Sequence, residues 1–283
     1  MKIRSKIAIF SSLLVSACIS IPTPVARQKN ADNLAQPRQW HAERLQTGAF
    51  DLIAYVPDAL QESAQLSVYI EGDGFAWITD SQPSLDPTPL DPLGLRLALA
   101  QPEGGAAYLA RPCQYVDALA SQCAARYWTG ARFAEEVIAA SNAAIDMLKH
   151  RFQAQRLILV GYSGGAAIAA LVAARRKDVA LLVSVAGNLD TVAWARYHHL
   201  QPLLESLNPI DAAEALRNVP QIHFAGGKDP TIPPELVHRY AREFARGRQA
   251  VVFEEQSFDH HCCWAEQWPA LWHKTLAQRP VKP

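Results

Sequence analysis

Strand-like and helix-like segments alternate along this chain from about residue 40 onward. Short runs of consecutive apolar residues are typical of strands buried on both faces of a sheet, and they predict strands over 49–56, 66–70, 106–110, 156–160, 179–185, 221–225 and 250–254. Apolar residues at helical spacing predict helices over 133–152, 166–175, 233–246 and 264–276. This alternation predicts an α/β fold class, with a mostly parallel sheet flanked by helices.

One stretch, residues 188–219, departs from the alternation. It is longer than a single connection between strands needs, and therefore predicts a small cap inserted over the C-terminal edge of the sheet. Its apolar side chains fit the core of such a cap and the lining of an acyl pocket equally well. They are Trp194, Tyr197, Leu200, Leu203 and Leu204.

The N-terminus has the pattern of an export signal. Three basic residues among the first six precede an apolar stretch, residues 7–15, that is too short to span a bilayer. The chain then reads Leu-Val-Ser-Ala-Cys at residues 14–18, which resembles a bacterial lipobox. The resemblance implies a lipoprotein signal peptide over residues 1–17 and lipidation of Cys18. Plain secretion, with Cys18 incidental, is the alternative.

The residues after the lipobox indicate where the protein is located, and the charge of the chain indicates which partners it can have. Ile19, where an Asp would retain a lipoprotein in the inner membrane, favours the outer membrane. Residues 18–39 contain three prolines among polar residues and predict a tether between the lipid and a domain over 40–283. We expect a bacterial cell-envelope protein, anchored by lipid on the periplasmic side. A formal net charge of +0 argues against nucleic acid as a partner.

Four further cysteines agree with an oxidising compartment. Of three possible pairings, Cys113 with Cys123 is preferred because it closes a short loop. Cys262 and Cys263 are adjacent, and either form a vicinal bridge or stay as thiols. A zinc site over residues 260–263 is disfavoured because four consecutive residues cannot surround one tetrahedral ion. We expect no metal and no cofactor.

The strongest candidate for chemistry is Ser163, at the centre of Gly-Tyr-Ser-Gly-Gly over residues 161–165. A predicted buried strand precedes it and an Ala-rich helix follows. A nucleophile on such a sharp turn needs small residues two positions before and after it, which Gly161 and Gly165 supply. The turn also directs the backbone N–H of Gly164 towards a developing oxyanion. The pattern predicts a serine nucleophile, with a glycine-rich packing turn as the alternative.

A serine nucleophile needs a histidine base that is itself oriented by an acid, and in this fold the chain order is Ser, acid, His. Asp229 lies in a Gly/Pro-rich turn after a predicted strand and is the predicted acid, with Asp190 as the alternative. His260 and His261 follow the last strand. Only one of two adjacent histidines can face Ser163, and we predict His260 as the base, with His261 as the alternative.

The second oxyanion donor is expected in the turn after the strand predicted over 66–70. There the chain reads Glu-Gly-Asp-Gly at residues 71–74, and its glycines allow a backbone N–H to approach a substrate oxygen closely. We predict the N–H of Asp73 as the donor, with that of Gly74 as the alternative. An ordinary Asp-Gly turn would give these residues no chemical role.

The serine turn, the aspartate turn and the late histidine together resemble the α/β-hydrolase superfamily over roughly residues 45 to 278. Three stretches resemble, more narrowly, a group of bacterial α/β-hydrolases that includes lipoproteins: Tyr-Ile-Glu-Gly-Asp-Gly at 69–74, Arg-Pro-Cys-Gln-Tyr at 111–115 and His-His-Cys-Cys-Trp at 260–264. The resemblance implies an α/β-hydrolase fold and a catalytic role for His260. Many esterases have His-Gly-Gly-Gly at the oxyanion turn, where this chain has Glu-Gly-Asp-Gly.

These features predict a serine hydrolase that cleaves an ester or related acyl bond of a small molecule. Ser163, Asp229 and His260 would form its triad. A thioesterase or peptidase of the same fold is one alternative. A surface-anchored binding protein that keeps the fold without turnover is another, and the complete order of triad residues argues against it.

Overall fold

The computed structural model describes residues 21–59, 62–117, 122–245 and 249–278. Its strands are β1 (Trp40–Gln46), β2 (Asp51–Pro57), β3 (Gln65–Ile70), β4 (Trp77–Thr79), β5 (Gln82–Pro83), β6 (Gly105–Leu109), β7 (Arg156–Tyr162), β8 (Val179–Val185), β9 (Gln221–Gly226) and β10 (Ala250–Glu255). Its helices are α1 (Pro24–Ala35), α2 (Leu93–Ala100), α3 (Glu135–Arg151), α4 (Gly164–Ala173), α5 (Thr191–Tyr197), α6 (Ala213–Leu216), α7 (Pro234–Arg242) and α8 (Trp264–Ala277).

Eight of the strands form one sheet in the order β1-β2-β6-β3-β7-β8-β9-β10, and β4 and β5 form a separate hairpin. From β6 to β10 every neighbouring pair is parallel, whereas β1 and β2 join antiparallel at one edge. The predicted α/β fold class, with a mostly parallel sheet flanked by helices, is confirmed. Parallel strands end at a common edge, so the residues that follow β3, β7, β9 and β10 are brought near one another.

The core lies on both faces of the sheet. On one face α3 and α4 pack against the strands, and every residue of α4 is buried. Small side chains, mostly alanine, let α4 approach the sheet closely. On the other face α2 and α8 pack, with Trp264, Trp268 and Trp272 buried. The helix that holds the serine turn is therefore fixed on all sides.

The prediction of a tether over residues 18–39 is wrong for the part that the structure describes, residues 21–39. Residues 24–35 form α1, in which Arg27, Ala31 and Ala35 are buried at four-residue spacing against the domain. The proline that suggested an extended linker occupies the first turn, where its missing N–H costs nothing, and Thr23 caps the helix by accepting the Ala26 N–H at 3.2 Å. This segment is part of the folded domain.

Several sequence predictions lie outside the described residues. The signal peptide over 1–17 and the lipidation site Cys18 are among them. Within the ranges that the structure describes, no helix is both long and apolar enough to cross a membrane. The segment predicted as a cap, 188–219, contains α5, a 3-10 turn over Pro209–Ala212 and α6, between β8 and β9.

Both cysteine pairs are joined in the structure. Cys113 bonds to Cys123, with Cα atoms 5.6 Å apart, and this pair closes the loop that follows β6. Cys262 bonds to Cys263, directly after the two histidines and before α8. The vicinal bridge is thus the form that the structure has for the second pair.

Candidate active site

Ser163 lies at the turn between β7 and α4, with φ 51° and ψ −121°, a backbone conformation that is costly for any residue with a side chain. Hydrogen bonds on both sides hold it there. Its N–H donates to the Val185 carbonyl at 3.0 Å, and its carbonyl accepts the Asn188 N–H at 3.0 Å. A Cβ at Gly161 would lie 2.4 Å from the Ala166 Cα, and one at Gly165 would lie 2.3 Å from the Ile70 carbonyl oxygen. The turn therefore requires glycine at both positions.

A chain of hydrogen bonds runs from Ser163 through His260 to Asp229. His260 Nε2 lies 3.0 Å from Ser163 Oγ, and His260 Nδ1 lies 2.8 Å from Asp229 Oδ2. A carboxylate only accepts, so Nδ1 carries the proton and Nε2 is left free to accept the Ser163 hydroxyl proton. Asp229 Oδ1 accepts the N–H groups of Thr231 and Ile232 at 2.8 Å each. These bonds fix the buried carboxylate in the orientation that the histidine needs.

The alternative acid and base predicted from the sequence lie elsewhere. Asp190 caps α5, where its Oδ1 accepts the Ala193 N–H at 3.0 Å, and it has no contact with His260. His261 Nδ1 lies 3.2 Å from the Tyr162 hydroxyl, which in turn donates to the His260 carbonyl at 3.1 Å. Partial desolvation and the neighbouring His260 lower the pKa of His261. Of the two histidines, only His260 contacts Ser163.

Three backbone N–H groups near Ser163 make no hydrogen bond within the described part of the chain. They belong to Gly164, in the first turn of α4, and to Asp73 and Gly74, in the loop after β3. Gly72 holds that loop against the serine turn, since a Cβ there would lie 3.3 Å from the Ser163 Cβ. Free N–H donors next to a serine hydroxyl are groups that could stabilise an oxyanion, and all three were candidates from the sequence.

The side chain of Asp73 makes an interaction that sequence reasoning missed. Its carboxylate lies between the guanidinium groups of Arg111 and Arg132, with an ion pair to each, and rests against the Cα of Gly164. Burial alone would raise the pKa of Asp73, but the charges of Arg132 and Arg111 outweigh it and hold the pKa below its ordinary value. Arg111 also donates to the Arg132 carbonyl at 2.7 Å. Two cations therefore share one carboxylate beside the free N–H groups.

Glu71 is a second carboxyl at this site that the sequence did not assign. It is 1% exposed, and its Oε1 accepts the N–H of Gly72 at 2.9 Å and that of Gly94, in the first turn of α2, at 3.2 Å. Interactions with the Tyr108 hydroxyl and the Leu95 N–H also favour its ionised form. Burial outweighs these hydrogen bonds and raises the pKa of Glu71 to about 7. This side chain links the loop after β3 to α2.

Ser163 and His260 lie in a cleft of about 440 Å³, a size typical of small-molecule sites. Its apolar wall is formed by Phe75, Pro89 and Leu90, and its other lining residues are Glu71, Asp73, Gly74, Asp91, Tyr162, Thr231 and His261. The five apolar side chains of the predicted cap are not among them. Trp194 contacts two residues at the margin of the cleft: the Thr231 carbonyl accepts its indole N–H at 2.9 Å, and the Arg132 guanidinium lies 5.9 Å from its ring. Elsewhere in the described ranges, no group of three or more potential ligands could hold a metal ion.

Comparisons with known proteins agree with the fold. No family model matches the chain, and no curated protein sequence does. Among solved structures, Est1E from Butyrivibrio proteoclasticus has a TM-score of 0.60 at 13% identity, over 85% of this chain and 99% of that chain. The esterase Pf2001 from Pyrococcus furiosus has a TM-score of 0.56 at 13% identity, over 92% of this chain and 95% of that chain. Puromycin hydrolase has a TM-score of 0.56 at 18% identity, over 84% of this chain and 38% of that chain. At such identities the likeness shows the fold alone, and the chain has the α/β-hydrolase fold.

Proposed function

We propose that this protein is a serine hydrolase that cleaves an ester, or a closely related acyl bond, of a small molecule. The observation that carries the proposal is the unbroken hydrogen-bonded chain from Ser163 through His260 to Asp229 at the base of a cleft. The esterase Pf2001, which shares the fold, supports it.

The proposed reaction follows from the positions of these groups. Ser163 Oγ attacks the substrate carbonyl carbon as its proton passes to His260 Nε2, and the carbonyl π electrons move onto the oxygen. The oxyanion accepts the N–H groups of Gly164 and Asp73, and it also gains from the first turn of α4, where the helix dipole is positive. When the carbonyl re-forms, the alcohol leaves with the proton from His260. Water then repeats the sequence and releases the acid.

The strained backbone at Ser163 favours a catalytic role over a pure binding role. A serine in this conformation costs about 1–3 kcal/mol, which the surrounding structure must offset. A binding protein gains nothing from that cost, whereas a nucleophile needs the exposed hydroxyl that the turn provides. Thioesters and peptides remain alternative substrates because the same groups serve them. Puromycin hydrolase has the same fold. Screening the full chain against ester, thioester and peptide libraries would show which of the three substrate classes it cleaves.

Labelling with a fluorophosphonate probe tests the proposal. The full chain should label and hydrolyse p-nitrophenyl acetate, and Ser163→Ala should abolish both. Ser81→Ala, at an exposed serine on the β4–β5 turn, serves as the matched control and should behave as wild type. Equal labelling of wild type and Ser163→Ala, or no labelling of folded wild type, would overturn the proposal.

We also propose that Cys18 carries the lipid anchor of a cell-envelope protein, on the sequence pattern alone. A Cys18→Ala variant should lose incorporation of labelled palmitate and leave the membrane fraction. The same variant remaining in the membrane fraction would contradict the anchor.

A further inference from the structure

Helix α1 buries a cation that has no part in the proposed reaction. Arg27 is 4% exposed, and its guanidinium donates to the carbonyl oxygens of Asp86, at 3.2 Å, and Thr88. It also lies 3.4 Å from the Asp86 carboxylate. Burying a guanidinium is costly unless it is paired and hydrogen-bonded, so Arg27 needs these contacts to stay buried.

The partners of Arg27 belong to the segment that forms the apolar side of the cleft, residues 75–91, here called the wall segment. Its residues Phe75, Pro89 and Leu90 face Ser163 across the cleft. The Arg27 Cζ lies 5.4 Å from the centre of the Phe75 ring, and Asn30 donates to the Leu90 carbonyl at 3.4 Å. Helix α1 therefore contacts the wall segment near both ends of that segment, at Phe75 and at Leu90.

The wall segment has little regular structure with which to hold itself. It contains only the short β4–β5 hairpin, and two backbone bonds close it, from Phe75 to Pro87 at 3.0 Å and from Ser84 to Ala76 at 2.9 Å. The Ser84 hydroxyl also donates to the carbonyls of Phe75 and Asp86. From outside, the segment accepts the Trp128 indole N–H at 3.2 Å and the Tyr115 backbone N–H at 2.8 Å. Loops of this length are mobile unless packed by neighbours. Arg27 is the buried charged group of α1 that bonds to this segment.

We propose that Arg27 is a positioning residue that sets the apolar wall of the cleft and so determines which acyl chains the enzyme accepts. The inference rests on the proposed function. The substrate class it names is an ester whose apolar acyl chain lies along Phe75, Pro89 and Leu90. Arg27 does not contact Ser163, His260 or Asp229, so the chemical step itself is independent of it.

Losing the guanidinium should affect long acyl chains more than short ones. The Thr88 carbonyl would lose the guanidinium that it accepts from, whereas the Asp86 carbonyl would keep the Ser84 hydroxyl and its carboxylate would keep the Thr88 N–H. The wall segment would then relax towards water, which can solvate the groups that Arg27 no longer contacts. An acetyl group is too small to need the wall, whereas an octanoyl chain depends on it. The effect should therefore be seen in KM for long chains and not in kcat for the shortest ester.

The test measures kcat and KM separately for the p-nitrophenyl esters of acetate, butyrate, hexanoate and octanoate. It uses the full chain as wild type, Arg27→Met, Arg27→Lys and Lys29→Met. Lys29 is exposed on the same helix and makes no hydrogen bond or ion pair within the described residues, so Lys29→Met removes the same charge without the contact. Arg27→Lys keeps the charge and part of the hydrogen bonding.

We expect Arg27→Met to raise KM for octanoate about tenfold more than KM for acetate, with kcat for acetate within about twofold of wild type. Arg27→Lys should be intermediate and Lys29→Met unchanged. Equal effects at every chain length, or an equal effect of Lys29→Met, would overturn the inference. If Arg27→Met does not fold, Asp86→Asn and Arg27→Lys must show the same dependence on chain length. Failure of the proposed function is distinct, because wild type itself would then hydrolyse none of the esters.

Discussion

The two sides of the cleft are held in different ways. On the side of Ser163, His260 and Asp229, each residue follows a strand of the parallel sheet, and backbone hydrogen bonds fix the turns. On the opposite side, the wall segment and the loop after β3 are irregular, and groups from distant parts of the chain hold them, with buried arginines prominent among these groups. The first arrangement is dictated by strand order. The second depends on a few charged contacts, so it can change without loss of the proposed triad.

Asp229→Asn, on the strand side, should cause the largest loss of activity. The amide can donate to His260 Nδ1, which favours the tautomer that cannot accept the Ser163 proton, and related triads lose about 10⁴-fold in kcat for this reason. The measurement is kcat on p-nitrophenyl acetate. Asp190→Asn, which keeps an acceptor for the cap of α5 and removes the ion pair with Arg239, is the matched control. Comparable losses in both variants would contradict the assignment of Asp229.

Glu71→Gln tests the irregular side through stability. The pKa of Glu71 is about 7 in the folded protein against an ordinary 4.5, so between these pH values the folded state binds more protons than the unfolded state. Its contribution to the free energy of unfolding therefore falls as pH rises from about 4.5 to 7, by about 2–3 kcal/mol. Glu71→Gln should remove this loss, and should gain stability relative to wild type between pH 5 and pH 8.

The comparison must be made between variant and wild type because a second group opposes Glu71. Burial lowers the pKa of His223 to about 3, so that residue destabilises the fold as pH falls below 6.5. The two contributions partly cancel in wild type. Urea unfolding at both pH values measures the difference directly. A difference that does not depend on pH would show that Glu71 does not titrate in this window.

Arg132→Met should lower kcat about tenfold with little change in KM, because it removes one of the two cations beside Gly164 while leaving the Asp73–Arg111 pair in place. Arg175→Met, which breaks an exposed pair with Glu135 away from the cleft, is the control. Steady-state kinetics on p-nitrophenyl acetate separate the two parameters. A rise in KM at constant kcat would instead assign the arginine pair to substrate binding.

His261→Ala should have the smallest effect, within about threefold in kcat. His261 contacts the Tyr162 hydroxyl and not Ser163, and Tyr162 keeps its bond to the His260 carbonyl without it. His260→Ala, by contrast, should lose at least about a thousandfold. Equal losses from the two substitutions would mean that the base has been assigned to the wrong histidine.

Predictions from the sequence succeed where local rules decide the structure. Apolar runs located the buried strands, and the strand over Val179–Val185 agrees at both ends. The glycines around Ser163 could be interpreted because the turn admits no Cβ at those positions. Asp229 and His260 could be expected to lie near Ser163 because strand order fixes where each turn must lie, and their side chains do meet there, although their catalytic roles stay a prediction. β1 was missed because it lies at the sheet edge, where its side chains are mostly exposed and form no apolar run.

The remaining features depend on contacts between residues far apart in the chain. Arg27 and Thr88 are separated by 61 positions, and Arg132 and Asp73 by 59, so no local pattern relates them. Helix α1 was mistaken for a tether because its composition is polar. The local sequence feature that indicates a helix there is Thr23 followed by Pro24, a capping residue and a first-turn proline.

The position where α1 begins also limits how far the cleft could move from a membrane. With a lipid on Cys18, only about 20 Å of extended chain would separate the anchor from Pro24. Arg27, in the next turn, is bonded to the wall of the cleft. The proposed anchor would then keep Ser163 within a short distance of the bilayer surface. Esters in or near the membrane would be presented at a high effective concentration, whereas a true tether would have allowed the domain to search the surrounding volume.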